Sequence, residues 1–360
     1  MEKEYQYMVA TRCWTYNHSA YVKDALRGFA MQRTEYPIVF TIVDDASTDG
    51  TREILEEWAG DNLECKGELL WRNEPYGKVA FAKLKGNCNT FFVIVLLDEN
   101  HHQTGRRALK MKYIAEWLDN AKYHSLCEGD DYWTNPLKLQ MQVDFLENNN
   151  EYGMAYTAYQ ELNEVKGTLV PVCTKPSMKH DDSFKWRILE QKVMIGTCTV
   201  LIRSELEREI KAIEDDFKGF LLGDTQTWFN AARLYKVHYI NEVTGVYRKV
   251  ATGMTATFVP ERRAKFIKSC LDAHLHLAYK YGAPLSTIKT IKKRFGGYAM
   301  RLYLEQGNYE EARRINSGVF NESGILSLII SFAEKMKLKK LTGLSKLVIV
   351  LSNMRLINLA

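Results

Sequence analysis

The 360-residue sequence lacks the patterns that mark several common classes of protein. Its seven cysteines are odd in number, scattered and never spaced as Cys-x-x-Cys, so they indicate neither a disulfide framework nor a zinc site. No apolar run approaches the roughly 18 residues that cross a bilayer, and no apolar leader follows the N-terminus. We therefore expect a cytoplasmic protein without disulfides, a secretion signal or a membrane span.

A strong excess of one charge is also missing. The formal net charge of +5 is modest for this length and does not by itself indicate nucleic-acid binding, although lysine and arginine are concentrated in the last third of the chain, and we expect no nucleic-acid partner. Apolar residues at 46% and charged residues at 26% are typical of an ordinary globular protein. The length exceeds the roughly 250 to 300 residues at which one core stops growing, which predicts a main domain and an appendage.

Short apolar runs alternate with helical patterns in the first half, as in βαβ units around a mostly parallel sheet. Residues 38–43 form a continuous apolar run, typical of a buried parallel strand, and end in Asp44 and Asp45. A later short run, residues 124–127, leads into the acidic segment 128–131. Because the carboxyl ends of parallel strands meet at one sheet edge, where ligands bind, we expect both acidic segments there.

The second half is less regular. Beyond residue 136 a helical pattern is followed by short strand candidates, and helical patterns dominate from about residue 262. We predict one α/β domain over residues 1–261, divided into halves at 1–135 and 136–261, and a helical C-terminal region over residues 262–360.

Three motifs occur in a fixed order, Thr15–His18, Asp44–Asp49 and Glu128–Asp131. In this order, and over roughly residues 5–250, the chain resembles the family 2 glycosyltransferases of the GT-A fold. The resemblance implies a mostly parallel, Rossmann-like central sheet flanked by helices, here with a C-terminal helical appendage. It also implies transfer of a sugar from a nucleotide diphosphate, with the donor held by residues 1–135 and the acceptor by residues 136–261.

By resemblance, the pocket for the base and ribose is lined by Thr15, Tyr16, Asp44 and Asp45. The chemistry of these residues agrees, since a carboxylate accepts hydrogen bonds from a base N–H or a ribose hydroxyl and an aromatic ring stacks on a base. The alternative for Asp44–Asp49 is a turn with an Asx-type helix start, for which Asp, Ser and Thr are common.

The acidic motif corresponds by resemblance to the family's metal and diphosphate loop, and Glu128 departs from the aspartate that is usual at its first position. Mn²⁺ or Mg²⁺ prefers carboxylate and phosphate oxygens, so Asp130 and Asp131 are the expected metal residues, and the sequence does not decide which of them is the direct ligand. Glu128 and Asp130 are also expected against the nucleotide sugar. Gly129 lets the backbone approach phosphates. The alternative is a solvated acidic turn.

Three further residues follow from the resemblance. Asp224 lies where the family carries its general base, at the start of a predicted helix, although an N-cap aspartate would have the same spacing. Trp228, one turn later, is the expected floor of the acceptor sugar, with a core tryptophan as the alternative. Arg248 is expected near the diphosphate, where it would stabilise the departing charge, or else it is a surface arginine.

The resemblance therefore predicts an inverting, metal-dependent hexosyltransferase-like enzyme that uses a UDP-sugar in bacterial cell-surface glycan biosynthesis. Non-processive transfer is expected because the Gln-x-x-Arg-Trp motif of processive synthases is absent. A glycan or lipid-linked acceptor is expected, and the lysine-rich tail at 325–360 either packs on the catalytic domain or lies on the inner face of the plasma membrane. The alternative function is a non-catalytic nucleotide-sugar-binding or scaffold protein.

Overall fold

The computed structural model describes residues 4–65, 70–173, 180–213, 219–250, 259–320 and 324–335. The chain divides into two compact units. The first contains Met1–His180, Met194–Ala212 and Ala231–Arg248, and the second contains Asp181–Val193, Ile213–Asn230 and Lys249–Ala360. The domain boundary between residues 261 and 262 stays a prediction.

The described residues form an 11-stranded sheet. Its strands are β1 (Tyr7–Thr15), β2 (Ile38–Asp44), β3 (Trp71–Glu74), β4 (Gly77–Lys83), β5 (Thr90–Leu97), β6 (Ala121–Leu126), β7 (Tyr132–Trp133), β8 (Tyr152–Asn163), β9 (Thr168–Val172), β10 (Leu201–Arg203) and β11 (Lys236–Lys249). The strand order is β3-β4-β5-β2-β1-β6-β10-β8-β11-β7, and β9 pairs with β8.

Thirteen α-helices are described: α1 (Val22–Ala30), α2 (Thr51–Asn62), α3 (Arg107–Tyr113), α4 (Ala115–Asp119), α5 (Lys138–Glu147), α6 (Phe184–Leu189), α7 (Ser204–Ile213), α8 (Asp224–Leu234), α9 (Pro260–Lys280), α10 (Leu285–Ile291), α11 (Gly297–Glu305), α12 (Tyr309–Phe320) and α13 (Gly324–Lys335). A 3₁₀ turn covers Thr197–Thr199, and a π-helical turn covers Lys292–Gly296. A mixed α/β fold with a large central sheet flanked by helices is confirmed.

Parallel pairing is confined to the middle of the sheet. β1 pairs in parallel with β2 and β6, and β2 pairs in parallel with β5. The described pairings of β3, β4, β7, β9 and β10 are antiparallel. The ligand-binding edge of the predicted Rossmann-like sheet is therefore formed by the carboxyl ends of β5, β2, β1 and β6.

Aromatic rings hold the helices of the first unit to this sheet. Phe29 of α1 stacks on Phe40 of β2 with ring centroids 4.8 Å apart, and it packs edge-to-face with Trp133 of β7 at a centroid distance of 5.2 Å. Each fully buried side chain of this size contributes about 2 to 3 kcal/mol. A Cβ on Gly28 would stand 2.8 Å from the backbone N of Trp133. The close approach of α1 to β7 therefore requires glycine at position 28.

The second unit has a helical core of its own. Buried apolar side chains of its helices meet in one cluster that includes Leu271, Leu277, Ala299 and Ile315. Among the described residues, no helix combines the length and the apolar character needed to cross a bilayer. Most of the lysine-rich tail predicted as a packing or membrane element, residues 336–360, lies outside the described residues.

Candidate functional site

Three loops leave the carboxyl edge of the parallel strands side by side. Thr15 at the end of β1 is in register with Asp44 at the end of β2, and the Asp45 N–H donates to the Thr15 carbonyl at 3.0 Å. The acidic loop follows β6 along β1, where the Gly129 N–H donates to the Trp14 carbonyl at 3.0 Å. The expectation that both acidic segments lie at one sheet edge is confirmed.

The loops after β1 and β2 are joined by hydrogen bonds in both directions. The Asn17 N–H donates to Ser47 Oγ at 2.8 Å, and the Thr48 N–H donates to Asn17 Oδ1 at 2.9 Å. The His18 N–H donates to Thr51 Oγ1 at 2.9 Å, where α2 begins. The motifs Thr15–His18 and Asp44–Asp49 therefore form one structural element, although about 30 residues separate them.

Each of these loops contains a left-handed residue. The φ angles of Asn17 and Ala46 are 55° and 59°, and Gln191 at 50° is the only other non-glycine with positive φ in the described ranges. The left-handed region costs a residue with a Cβ roughly 1 to 2 kcal/mol, most for one such as Ala46 whose side chain makes no local hydrogen bond. Backbone strain of this kind is concentrated at ligand sites, so its occurrence here supports a binding role for the edge.

Asp44 is fully buried and shapes the turn that follows it. Its Oδ2 accepts the Ser47 N–H at 3.1 Å, and its Oδ1 accepts the Ser47 hydroxyl at 2.5 Å. Burial raises the pKa of Asp44, and these hydrogen bonds offset part of the increase. The carboxylate has the turn-forming contacts that the alternative interpretation predicts, and its contact with a nucleoside stays a prediction.

Asp45 anchors a segment that the sequence motifs did not include. Its side chain is 2% exposed, and its carboxylate accepts the N–H groups of His101 and His102 at 2.7 and 3.1 Å. Lys110 Nζ donates to the same carboxylate at 3.0 Å. Tyr16, 37% exposed, lies beside this segment, with its hydroxyl 3.5 Å from Gln103 Nε2. The segment after β5 is therefore part of the candidate site. Lys110 was not predicted from the sequence, because it does not belong to any of the motifs.

The two adjacent histidines differ, and neither joins a metal cluster. His101 is 3% exposed and satisfied, since Nδ1–H donates to the Glu99 carbonyl at 2.8 Å and Nε2 accepts the Tyr113 hydroxyl at 3.0 Å. His102 is exposed, with Nε2 2.6 Å from Arg107 Nη2. Burial and then Arg107 lower the pKa of His102. Two adjacent histidines without a set of partner ligands in the sequence are expected to be surface or hydrogen-bonded residues, and this pair agrees with that expectation.

The acidic loop crowds carboxyl groups into one short turn. Burial, and then repulsion from Asp130, raise the pKa of Glu128 to about 8. The same two causes raise the pKa of Asp131 well above its usual range, although the Arg248 N–H donates to its Oδ1 at 2.8 Å. Asp130 is the more accessible aspartate, with 21% of its side chain exposed and Oδ2 3.9 Å from His18 Nε2. A cation would relieve this repulsion.

Gly129 is required by packing. A Cβ at this position would stand 2.5 Å from Thr15 Oγ1 and 2.7 Å from Thr15 Cβ, a distance that no real side chain keeps. The absence of a side chain lets the acidic loop lie directly against the end of β1. The sequence argument expected glycine for an approach to phosphates, and the structure gives an additional reason for it.

The acidic loop offers carboxylates as metal ligands, but the described residues do not supply a complete coordination shell. Within the described ranges, no group of three or more His, Cys, Asp or Glu side chains is arranged to hold a metal ion. Mg²⁺ and Mn²⁺ do not need one, because one or two carboxylates, substrate phosphates and waters complete their shell. The mutual repulsion of the Asp130 and Asp131 carboxyl groups fits such a site.

Arg248, expected beside the diphosphate, is 6% exposed and already has acidic partners. Its Nη2 donates to Asp24 Oδ2 at 2.9 Å, and its Nη1 donates to the Asp130 carbonyl at 3.0 Å. It is not the surface arginine of the alternative interpretation. The structure brings it into the first unit together with Thr15, Tyr16, Asp44, Asp45, Glu128, Asp130 and Asp131.

Asp224 and Trp228 belong to the second unit. Asp224 is the first residue of α8, partly exposed, and its Oδ1 accepts the Thr225 N–H at 2.8 Å. Its charge adds to the effect of burial in raising the pKa of Cys270 to about 12. Trp228 is 4% exposed, as the core alternative predicts. The roles of both residues towards an acceptor stay predictions.

A family model described as "Glycosyl transferase family 2" matches residues 14–81, which include the first two motifs. Curated relatives from Mycobacterium tuberculosis and Mycobacterium bovis, both described as uncharacterised, are 36% identical over 137 residues. The match covers 38% of this chain and 31% of theirs, so the chain spans about a third of the length of these relatives. The N-terminal part of the chain is thus similar to family 2 glycosyltransferases.

Two solved structures are similar over most of the chain. TarS 1–349 of S. aureus in complex with UDP-GlcNAc has 15% identity and a TM-score of 0.48, covering 96% of this chain and 91% of that one. The mannosyltransferase PcManGT of Pyrobaculum calidifontis, in complex with GDP-Man and Mn²⁺, has 16% identity and a TM-score of 0.45, covering 98% and 87%. Since both TM-scores are below 0.5, the fold class of this chain depends on its own sheet and helices.

Proposed function

We propose that this chain is a glycosyltransferase that moves a sugar from a nucleotide diphosphate to an acceptor hydroxyl. The observation that carries the proposal is the meeting of Thr15–His18, Asp44–Asp49 and Glu128–Asp131 at one edge of the parallel strands. The first two of these segments lie inside the match to the family 2 model. This edge places two loops that are hydrogen-bonded to each other beside a cluster of carboxylates, an arrangement suited to a nucleoside diphosphate with its cation.

The donor side of the proposed site combines an exposed ring with buried acids. Tyr16 stacks on the base, and Thr15, Asp44 and Asp45 line the base and ribose pocket, which we propose takes a UDP-sugar. Asp130 and Asp131 are the residues that would hold Mn²⁺ or Mg²⁺ beside the diphosphate. When bound, the cation neutralises the charge that develops on the leaving diphosphate.

The acceptor side is assigned to α8, with Asp224 and Trp228 one helical turn apart. Asp224 takes the proton of the acceptor hydroxyl as its oxygen attacks the anomeric carbon. The bond from that carbon to the diphosphate oxygen breaks on the opposite face, so the configuration is inverted. A partly exposed carboxylate at the first residue of α8 is compatible with this role and with an N-cap. The transfer is single and serves a cell-surface glycan, with the acceptor at the inner face of the plasma membrane.

Donor binding gives the first test. Thermal unfolding would be followed with UDP-glucose, UDP-GlcNAc and GDP-mannose, each with and without MnCl₂. A donor at about 100 times its Kd adds about 2.7 kcal/mol to the free energy of unfolding. We expect this gain to be much larger with Mn²⁺ than without it, to be lost in Asp130→Ala and Asp131→Ala, and to be retained in Asp61→Asn, which changes an exposed acid of α2. If no sugar nucleotide stabilised the parent protein, the proposal would be abandoned.

Donor turnover separates an enzyme from a binding protein. We expect the donor that stabilises the protein to be hydrolysed slowly to the nucleoside diphosphate in the presence of Mn²⁺, because water can replace an acceptor hydroxyl. Binding without any release of nucleoside diphosphate, across a panel of soluble acceptors, would favour the non-catalytic nucleotide-sugar-binding alternative.

A further inference from the structure

Arg248, near the end of β11, makes two hydrogen bonds to the acidic loop. Its backbone N–H donates to Asp131 Oδ1 at 2.8 Å. Its side-chain Nη1 donates to the backbone carbonyl of Asp130 at 3.0 Å. One residue therefore fixes the carboxylate of one proposed metal ligand and the backbone of the other.

The rest of the guanidinium is held by groups outside the loop. Nη2 donates to Asp24 Oδ2 on α1 at 2.9 Å, and Nε lies 2.8 Å from Glu164 Oε1, just after β8. The guanidinium carbon lies 4.8 Å from the ring centroid of Tyr21 and 4.9 Å from that of Tyr132. Stacking between two rings and pairing with two carboxylates fix the orientation of the planar group.

These contacts leave Arg248 little capacity for a phosphate. Its single positive charge already faces Asp24 and Glu164, and its side chain is 5% exposed. A phosphate would have to displace one of these carboxylates and open a stacked, buried arrangement. By contrast, Asp131 Oδ2 and the Asp130 carboxylate make no hydrogen bond within the described part of the chain, so they are available to a cation.

We propose that Arg248 is a positioning residue, which holds Asp130 and Asp131 in place for the divalent cation and does not contact the diphosphate. The inference builds on the proposed function, because the cation and the diphosphate belong to that function. It predicts that the shape of Arg248 matters as well as its charge. Lysine keeps the charge, but its compact ammonium cannot span Asp24, Glu164 and the Asp130 carbonyl in one plane.

The test compares Arg248→Lys, Arg248→Gln and Arg27→Gln by calorimetry of UDP binding with and without Mn²⁺. Arg27 is the matched control, because its Nη1 donates to the same Asp24 at 3.4 Å while its side chain is 77% exposed. We expect both Arg248 variants to lose at least about tenfold of the Mn²⁺-dependent affinity, in line with a lost charge-assisted hydrogen bond. Their affinity without Mn²⁺ should equal that of the parent, and Arg27→Gln should be silent.

A direct phosphate contact gives a different pattern. Arg248→Lys would then retain most of the affinity, and Arg248→Gln would lose affinity with and without Mn²⁺. Asp24→Asn distinguishes the two roles by the direction in which UDP affinity changes. If Arg248 contacts the phosphate, releasing its guanidinium from Asp24 should strengthen UDP binding. If Arg248 only positions the acidic loop, the same substitution should weaken Mn²⁺-dependent binding. Mn²⁺-dependent affinity within twofold of the parent in Arg248→Lys would overturn the inference.

A readout without nucleotide keeps this inference separate from the proposed function. Amide hydrogen exchange of residues 128–133 should be faster in both Arg248 variants than in the parent and unchanged in Arg27→Gln. If neither UDP nor GDP bound the parent with Mn²⁺, the proposed function would fail, and the exchange of the acidic loop would still decide the role of Arg248. Unchanged exchange in Arg248→Gln would refute the positioning role.

Discussion

A buried lysine behind the acidic loop gives the sharpest stability prediction. Lys138 is 0% exposed, its Nζ donates to Gln142 Oε1 at 2.8 Å, and it lies 4.3 Å from the ring centroid of Trp133. Burial lowers the pKa of Lys138 from 10.5 to about 7. The folded chain therefore holds an amine that the unfolded chain would keep protonated at neutral pH.

The size of the effect follows from this difference. At 1.36 kcal/mol for each pKa unit, holding Lys138 in the core costs about 4 to 5 kcal/mol at pH 7. Lys138→Met has a similar length and removes this cost, but it leaves Gln142 Oε1 without a donor, at about 1 to 3 kcal/mol. We expect Lys138→Met to raise the free energy of unfolding by about 1 to 4 kcal/mol at pH 7.

The pH dependence has a defined sign. Between pH 7 and 10.5 the unfolded parent binds more protons than the folded parent, so the stability of the parent rises with pH across this range. Lys138→Met lacks this rise. The gain in stability of Lys138→Met over the parent is therefore largest below pH 7 and falls as the pH increases. Near pH 10 the variant becomes less stable than the parent, because only the cost of the unpaired Gln142 oxygen remains.

Urea unfolding followed by tryptophan fluorescence at pH 6, 7, 8, 9 and 10 measures the difference between variant and parent. Lys23→Met is the control, because Lys23 is exposed on α1 and should show a difference near zero at every pH. If Lys138→Met were destabilising at pH 7 by as much as at pH 10, the reasoning from burial would be refuted.

Three other substitutions test separate parts of the fold and site. Glu207→Gln should lower the free energy of unfolding by about 3 to 5 kcal/mol, because buried Arg12 at 2.7 Å and His124 at 2.5 Å lose their anion. Burial opposes ionisation of Glu207, but Arg12 and His124 hold its pKa well below 4.5, so this contribution is present above pH 4.5 and lost as the pH falls through the folded pKa. Gly129→Ala should cost about 1 to 3 kcal/mol and at least about tenfold in donor affinity, because its Cβ would stand 2.5 Å from a β1 hydroxyl oxygen. Asp224→Asn should fold and bind donor normally yet lose about 10²-fold or more in transfer rate.

Each of these has a contrary outcome. Urea unfolding of Glu207→Gln within 1 kcal/mol of the parent at pH 7 would show that the buried pairs contribute little. Parental donor affinity in Gly129→Ala would mean that the acidic loop tolerates displacement. Near-parental transfer by Asp224→Asn, with a matched melting curve, would leave Asp224 as a helix cap only.

Three of the four parallel strands could be predicted from the sequence within about one residue. The patterns at residues 7–14, 38–43 and 91–97, of which the last two are mainly apolar, predict strands and correspond to β1, β2 and β5. The short run at residues 124–127 predicts β6, but that strand begins earlier, at Ala121. The apolar positions Val22, Ala25, Leu26 and Phe29 are all buried on α1. Such strands and helices can be predicted locally, because burial of one or both faces requires apolar residues at fixed spacings along the segment itself.

Elements decided by distant partners could not be predicted in the same way. From the sequence alone, residues 71–86 are interpreted only as an addition of unknown role to the nucleotide half of the domain. The structure forms β3 and β4 there, as an antiparallel hairpin on β5. The pattern over residues 106–118 predicts a single helix, but the structure has two helices, α3 and α4, separated at Ile114. Ser19, just before the helical pattern at residues 22–29, predicts an N-cap for α1. This prediction is wrong, because the Ser19 N–H donates to Asp49 Oδ2 and α1 begins at Val22 without a side-chain cap.

The motifs located the site, but the contacts of its side chains depend on residues far along the chain. Asp45 binds residues 101, 102 and 110, and Arg248 binds Asp24 and the acidic loop more than a hundred residues away. Spacing along the sequence carries no information about such pairs. A charged residue at a sheet edge can therefore be assigned to the edge from its sequence, while its partner is known only from the fold.

The edge residues fall into two groups that should respond differently to substitution. Asp45 is buried against Lys110, so Asp45→Asn should lower the free energy of unfolding by about 3 kcal/mol and weaken donor binding at the same time. Tyr16 is exposed, so Tyr16→Ala should change stability by less than about 0.5 kcal/mol while weakening donor binding. Asp130→Asn removes the repulsion that Asp130 exerts on Glu128 and Asp131, so it should not lower the free energy of unfolding, while it weakens donor binding. Urea unfolding and UDP calorimetry on the same preparations would separate the groups. Equal losses of stability in all three variants would mean that the exposed residues also build the fold, and the division between scaffold and binding surface at this edge would not hold.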